Sequence, residues 1–223
     1  MNPGTLSYPF WSPEEIERAL RPALDQMERR RVLAYPTETV YGFGGAIDRD
    51  SVAALIKLKR RPPGKPFLLL VDGSETLAKL DLHMPSYAAN LAARHWPGPL
   101  TLVLPGGERR VPPQLRGPEG GVAVRWTSNP ATARLIRAHG DAMTSTSANR
   151  PGVPPAMTAG EILTQWAEAV ARGDLRVLDA GRLAPSSPST VVDCMGRHPR
   201  VIRPGAIPAR VLRESVPTLI GDA

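Results

Sequence analysis

The sequence predicts an α/β fold in which helices flank a twisted, mixed β-sheet. Three observations carry this reading. Two capping boxes, Ser12-x-x-Glu15 and Thr158-x-x-Glu161, open segments with apolar residues at helical spacing. Short aliphatic runs such as Val32–Tyr35 and Phe67–Val71 lie between helical segments. The early runs alternate with helices, whereas Leu175–Leu178, Thr190–Asp193 and Arg200–Arg203 follow one another closely. Strict alternation would give a parallel sheet, so the mixture predicts a mixed one.

The elements follow in order. Pro13 at the first helical position, with Ile16, Leu20, Leu24 and Met27 recurring behind it, predicts a helix over about residues 13–30. Val32–Tyr35 reads as a strand and Pro36–Gly45 as a loop. Asp50 can cap a second helix carrying Val52, Leu55, Ile56 and Leu58, which must end before Pro62–Pro63. Phe67–Val71 is apolar throughout and reads as a strand buried on both faces. A helix over about residues 86–95 stops at Trp96-Pro97-Gly98-Pro99. Leu100–Leu104 and Val122–Trp126 are strands. Asn129–Pro130 opens a helix to His139, and Thr158 opens another to Arg172.

The length of 223 residues suits one core, and residues 10–212 read as a single domain with loose ends at 1–9 and 213–223. One cysteine, Cys194, excludes an intrachain disulfide and fits a reducing compartment. With no signal-peptide pattern and no apolar run near ~18 residues, a cytoplasmic protein without a membrane span is expected. The net charge of +7 favours anionic partners. The four histidines have no metal-ligand spacing.

Lysine usage is the most informative statistic. Only four of the 28 basic residues are lysines, and three of them, Lys57, Lys59 and Lys65, lie within one short stretch. A generic solvated charge in this chain is an arginine, so retained lysines point to compact charges set against phosphate. Complementing a helix dipole explains Lys57 and Lys59 but not Lys65, which lies beyond two prolines. Thr144-Ser-Thr-Ser-Ala-Asn149 is a second feature. In extended form it places Ser145, Ser147 and Asn149 on one face, where they can bind ligand oxygens, although the same residues also build turns. Tyr35-Pro-Thr-Glu-Thr-Val-Tyr-Gly-Phe-Gly-Gly45 offers hydroxyls and close backbone approach, and is equally a tight turn. Neither a dinucleotide fingerprint nor a P-loop is present. Arg125, Ser189 and Arg203 are polar groups beside strands, and together they look like strand ends converging on one cleft.

These segments, taken in order, resemble the YrdC-like threonylcarbamoyl-AMP synthases: YPTETVYGFG, LKRRPPGKPFLLLV, WPGPLTLVL, VAVR, TSTSAN, STVVD and VIRPG. The likeness runs from about Leu33 to Arg203, with the family's Lys-x-Arg element on Lys59 and Arg61 and its Ser-x-Asn element on Ser147 and Asn149. The resemblance implies a twisted sheet with a basic concave cleft. It also implies a reaction in which L-threonine, bicarbonate and ATP give threonylcarbamoyl-AMP and pyrophosphate for the t6A modification of tRNA. It places Lys59, Arg61, Ser147 and Asn149 at the chemistry, and Lys59, Arg61, Lys65, Ser147, Asn149 and Arg203 on ATP. Thr37, Arg125, Ser145 and Ser189 would hold threonine or its carbamate, with Mg²⁺ entering on ATP. A tRNA or a t6A transferase complex would act downstream, and double-stranded RNA is a further partner that the charge suits.

The chain departs from the family in two places. Leu70 stands where some relatives carry histidine, and Arg150–Pro151 follows the Ser-x-Asn element, adding charge beside the expected nucleotide site. The end soon after Arg203 resembles the short, single-domain form. Two alternatives compete with this enzyme. One is an RNA-binding module without catalysis, and the other is a carbamoyl transferase handling carbamoyl-adenylate. Lys59→Ala and Arg61→Ala are expected to abolish turnover while leaving the melting temperature nearly unchanged.

Overall fold

A computed structural model describes residues 7–61 and 65–221. Ten strands form one sheet: β1 (Ser7–Pro9), β2 (Val32–Tyr35), β3 (Gly42–Gly44), β4 (Leu68–Val71), β5 (Leu100–Leu104), β6 (Val122–Trp126), β7 (Met143–Ser147), β8 (Leu175–Asp179), β9 (Thr190–Asp193) and β10 (Arg200–Arg203). Their spatial order is β1-β8-β2-β3-β7-β4-β6-β5-β9-β10. Four neighbouring pairs, β1/β8, β2/β8, β4/β6 and β5/β9, are parallel, and the other five are antiparallel. The mixed sheet is therefore as the sequence predicts.

Alternation along the strands divides the core. In β2, Leu33 and Tyr35 pack with Leu70 and Met143 against α1 (Pro13–Glu28) and α5 (Pro130–His139). Val32 and Ala34 face the opposite way, toward α2 (Arg49–Lys59), α6 (Ala159–Gln165) and α7 (Ala167–Ala171). At the far end, α4 (Ser86–His95) and α8 (Ala209–Ser215) cover β5 and β9. A short α3 (Ser74–Ala78) follows β4.

Local chemistry explains most boundaries. Ser12 accepts from the Glu15 amide at 3.3 Å, and Glu15 accepts from the Ser12 amide at 3.0 Å, closing the predicted capping box. Asn129 accepts from the Thr132 amide at 3.0 Å to start α5, and Gly140, at φ 79°, ends it.

Four sequence readings are revised. Asp48, not Asp50, caps α2, because its extended backbone lets Oδ1 accept from the Asp50 and Ser51 amides, both at 3.1 Å. The same helix ends before Pro62–Pro63, as the sequence predicts: its last residue is Lys59, Arg60 is left-handed at φ 49°, and the two prolines lie outside the described residues. The helix expected from Thr158 to Arg172 is broken at Trp166, which leaves helical geometry and packs its indole edge-on against Phe43 at 5.1 Å. The predicted loop Pro36–Gly45 contains β3, wedged between β2 and β7. Only glycine fits there: a Cβ on Gly44 would sit 1.7 Å from the Thr144 carbonyl oxygen. Lastly, the described parts of the ends expected to be loose carry order. Ser7–Pro9 pairs with β8, residues 213–215 complete α8, and Leu219 is buried.

Candidate active site

The strand register assembles a polar stripe on one face of the sheet. Ser145 in β7 lies opposite Leu68, and Met143 opposite Leu70, which is in turn level with Arg125 in β6. Arg125 and Ser145 therefore share the face that packs on α1 and α5. Further along the sheet order, Thr101 in β5 and Ser189 before β9 meet through their hydroxyls at 2.8 Å. Arg203, at the end of β10, donates to the Ser189 carbonyl at 2.8 Å and to its hydroxyl at 3.0 Å. Burial, followed by the neighbouring charge of Arg125, lowers the Arg203 pKa. The two guanidiniums are thus close enough for one charge to act on the other. Gly205 permits the approach, since a Cβ there would lie 2.3 Å from the Pro188 carbonyl oxygen.

Glu38 and the threonines around it close this half. Arg125, only 4% exposed, places Nε 3.3 Å from Glu38 Oε1, and Thr127 donates its hydroxyl to Glu38 Oε2 at 2.7 Å. The Thr37 hydroxyl is committed to its own turn: it donates to the Val40 carbonyl at 2.7 Å and accepts from the Thr39 and Val40 amides. Thr132 anchors the same loop through the Pro36 carbonyl at 2.5 Å. Tyr35, fully buried, donates to the Thr144 carbonyl at 2.7 Å, and burial raises its phenol well above the ordinary value.

The second half of the site is a clamp. Lys59 Nζ donates to the Ser147 carbonyl at 2.8 Å, to the Asn149 carbonyl, and to Asn149 Oδ1 at 3.0 Å. Ser147 Oγ donates to the same Oδ1 at 2.6 Å, and Asn149 Nδ2 donates to the Val153 carbonyl at 2.7 Å. Burial, with a smaller contribution from Arg61, lowers the Lys59 pKa to about 8. Arg61 lies over the Phe67 ring at 4.7 Å and donates to the carbonyls of Lys65 and Pro66 at 2.7 and 2.9 Å. Its Nη1 reaches the Thr146 hydroxyl at 3.4 Å. Lys65 is exposed at the rim, and so are Lys57 and Arg60.

The sequence-predicted residues therefore fall into two adjoining groups joined by β7. Thr37, Arg125, Ser145, Ser189 and Arg203 lie with the stripe, and Lys59, Arg61, Lys65, Ser147 and Asn149 lie with the clamp. Lys59, expected to be set against phosphate, spends its three donors on oxygens of Ser147 and Asn149. Arg150, expected to add charge beside the nucleotide site, stacks on Trp166 at 5.1 Å and donates to the Gln165 carbonyl at 2.9 Å, and it lines one groove with Lys59. Sequence reasoning missed Glu38, Thr39, Thr101 and Thr127. The one signal for Thr101 was a hydroxyl inside the apolar run Leu100–Leu104.

Neighbouring guanidiniums and buried hydroxyls beside a basic clamp are groups suited to small anions and nucleotides. The Sua5/YciO/YrdC family model, described as "Telomere recombination", matches residues 25–205, and the chain belongs to this family. Threonylcarbamoyl-AMP synthases of Chromohalobacter salexigens and Thiobacillus denitrificans are 35% and 38% identical over 81% and 82% of this chain, each covered to 95% of its own length. The Pyrococcus abyssi synthase is 33% identical over 94% of this chain, which spans 59% of that longer relative. P. abyssi Sua5 complexed with L-threonine superposes with a TM-score of 0.83 at 30% identity, over 92% of this chain and 59% of that one. Escherichia coli YciO superposes with a TM-score of 0.77 at 27% identity, over 88% of this chain and 93% of that one.

Proposed function

We propose that this protein is a threonylcarbamoyl-AMP synthase, an ATP-using nucleotidyltransferase that converts L-threonine, bicarbonate and ATP into threonylcarbamoyl-AMP, pyrophosphate and water. The observation that carries this is the junction at β7. Ser145 belongs to the stripe and Ser147 to the clamp, so an amino-acid site and a nucleotide site share one strand. The Arg125 guanidinium suits the amino-acid carboxylate, and Ser145, Ser189 and the Thr37 turn surround the carbamate formed from the amine and bicarbonate. A carbamate oxygen then attacks the α-phosphorus of ATP, the bond to the bridging oxygen breaks, and pyrophosphate leaves. Arg61, Lys65 and Arg203 balance the phosphate charge, while Ser147 and Asn149, fixed by Lys59, set the position of the nucleotide. The clamp offers cations, hydroxyls and amides rather than carboxylates, so Mg²⁺ would be held by ATP oxygens and water. The product serves t6A modification of tRNA through a transferase complex. The test is pyrophosphate release from ATP, Mg²⁺ and bicarbonate. Release that requires threonine is expected; release indifferent to threonine would sink the proposal.

Contact with RNA is supported by a groove that Lys59 also lines. This groove of about 1100 Å³ opens between α2 and α7, lined by Arg30, Arg31, Lys57, Arg60, Arg150 and Arg172 against Glu168 and Asp174. Phosphate-backbone binding there would weaken steeply with salt. Charge reversal at Lys57 and Arg60 should flatten that dependence without altering pyrophosphate release.

A further inference from the structure

Buried polar groups normally find partners. Among the described residues, five buried side-chain atoms lack a hydrogen-bond partner, and two of them, Glu38 Oε1 and Arg125 Nε, face each other in this cleft. They are 3.3 Å apart, close enough to pair electrostatically, but neither completes a hydrogen bond with the other. The carboxylate is not loose. Its second oxygen is held by the Thr127 hydroxyl at 2.7 Å, and its backbone lies in the turn tied by Thr37. Among the described residues no other carboxylate contacts Arg125, Arg203, Thr37, Ser145 or Ser189.

A carboxylate in this position needs a reason. If the cleft received only the carboxylate of a substrate, Glu38 would repel it and compete for Arg125. An α-amino acid brings the opposite charge as well. We infer that Glu38 is the subsite for the α-ammonium group of the amino acid, with Oε1 accepting from it while Arg125 takes the carboxylate. The arrangement matches both ends of a zwitterion and works against hydroxy acids and simple carboxylic acids, which would leave Oε1 unpaired beside a second negative charge. This rests on the reading of the cleft as an amino-acid site and adds to it a rule of selection.

Calorimetric binding of L-threonine and of 3-hydroxybutanoate, the same molecule without its amine, tests the assignment. The wild-type protein should prefer threonine. Glu38→Gln should weaken threonine by about 10- to 100-fold, the range of a charge-assisted hydrogen bond, and should leave 3-hydroxybutanoate unchanged or tighter. Glu38→Asp should recover part of the preference. A wild-type protein that binds both compounds equally, or a Glu38→Gln loss shared equally by both, would overturn the inference and make Glu38 only a support for Arg125. The wild-type comparison does not depend on the variants folding. A wild-type protein that binds neither compound would instead remove the amino-acid reading itself.

Discussion

The two halves of the cleft are built on opposite principles. In the clamp every donor of Lys59 is used, Ser147 and Asn149 bond to each other, and Arg61 is tied to two carbonyls. In the stripe, Arg125 and Glu38 form a buried ion pair at 3.3 Å whose facing atoms, Nε and Oε1, complete no hydrogen bond. The clamp is complete without ligand and can act by shape, as a preorganised seat for a nucleotide. On the proposed reading, a ligand carrying both charges would supply the hydrogen bonds that the pair in the stripe leaves unmade. The difference teaches that cations in one candidate site can do unlike jobs: Lys59 holds the protein to itself, while Arg125, on the proposed reading, serves the substrate.

The largest expected effect breaks the stripe. Arg125→Ala leaves Glu38 buried without its counter-charge, so stability should fall by about 3–5 kcal/mol in denaturant unfolding. Threonine-dependent kcat/KM should fall by roughly 10²–10³-fold in the same variant. A milder change breaks the clamp. Lys59→Ala strands at least one buried carbonyl and should cost about 1–3 kcal/mol of stability as well as nucleotide binding. This revises the expectation from sequence that the melting temperature would hold. An unchanged melting temperature would mean that the clamp is not the structural unit described.

The smallest effect sharpens the comparison through pH. The fold holds Lys59 at about 8, below the ordinary 10.5, so between these values the unfolded chain carries more protons and stability should rise with pH across that window. Bound phosphates favour the charged ammonium, so ATP binding near pH 8.5 should take up protons, and affinity should fall as pH rises through about 8. Calorimetry in buffers of different ionisation enthalpy reads this uptake, which Lys59→Met should abolish.

Much of this was legible in the sequence, for reasons that also set the limit. Ser12 and Glu15 announce a helix because the capping bonds are local. The period of two along Thr144–Asn149 placed Ser145 and Ser147 on one face. The scarcity of lysine drew attention to Lys59, but not to its partners, because the carbonyls of Ser147 and Asn149 are 88 and 90 residues away. Glu38 was invisible for the same reason. Its meaning depends on Arg125 and Thr127, brought to it by a sheet order that no local pattern encodes. The three glycine-framed residues of β3 resemble a loop because what makes them a strand is the two neighbours on either side.

The most direct test follows radiolabelled bicarbonate in a single turnover. The two-half cleft predicts that label appears in a compound joined to AMP only when both L-threonine and ATP are supplied, and that Arg125→Ala and Arg61→Ala each prevent it. Label joined to AMP in the absence of an amino acid would contradict the account.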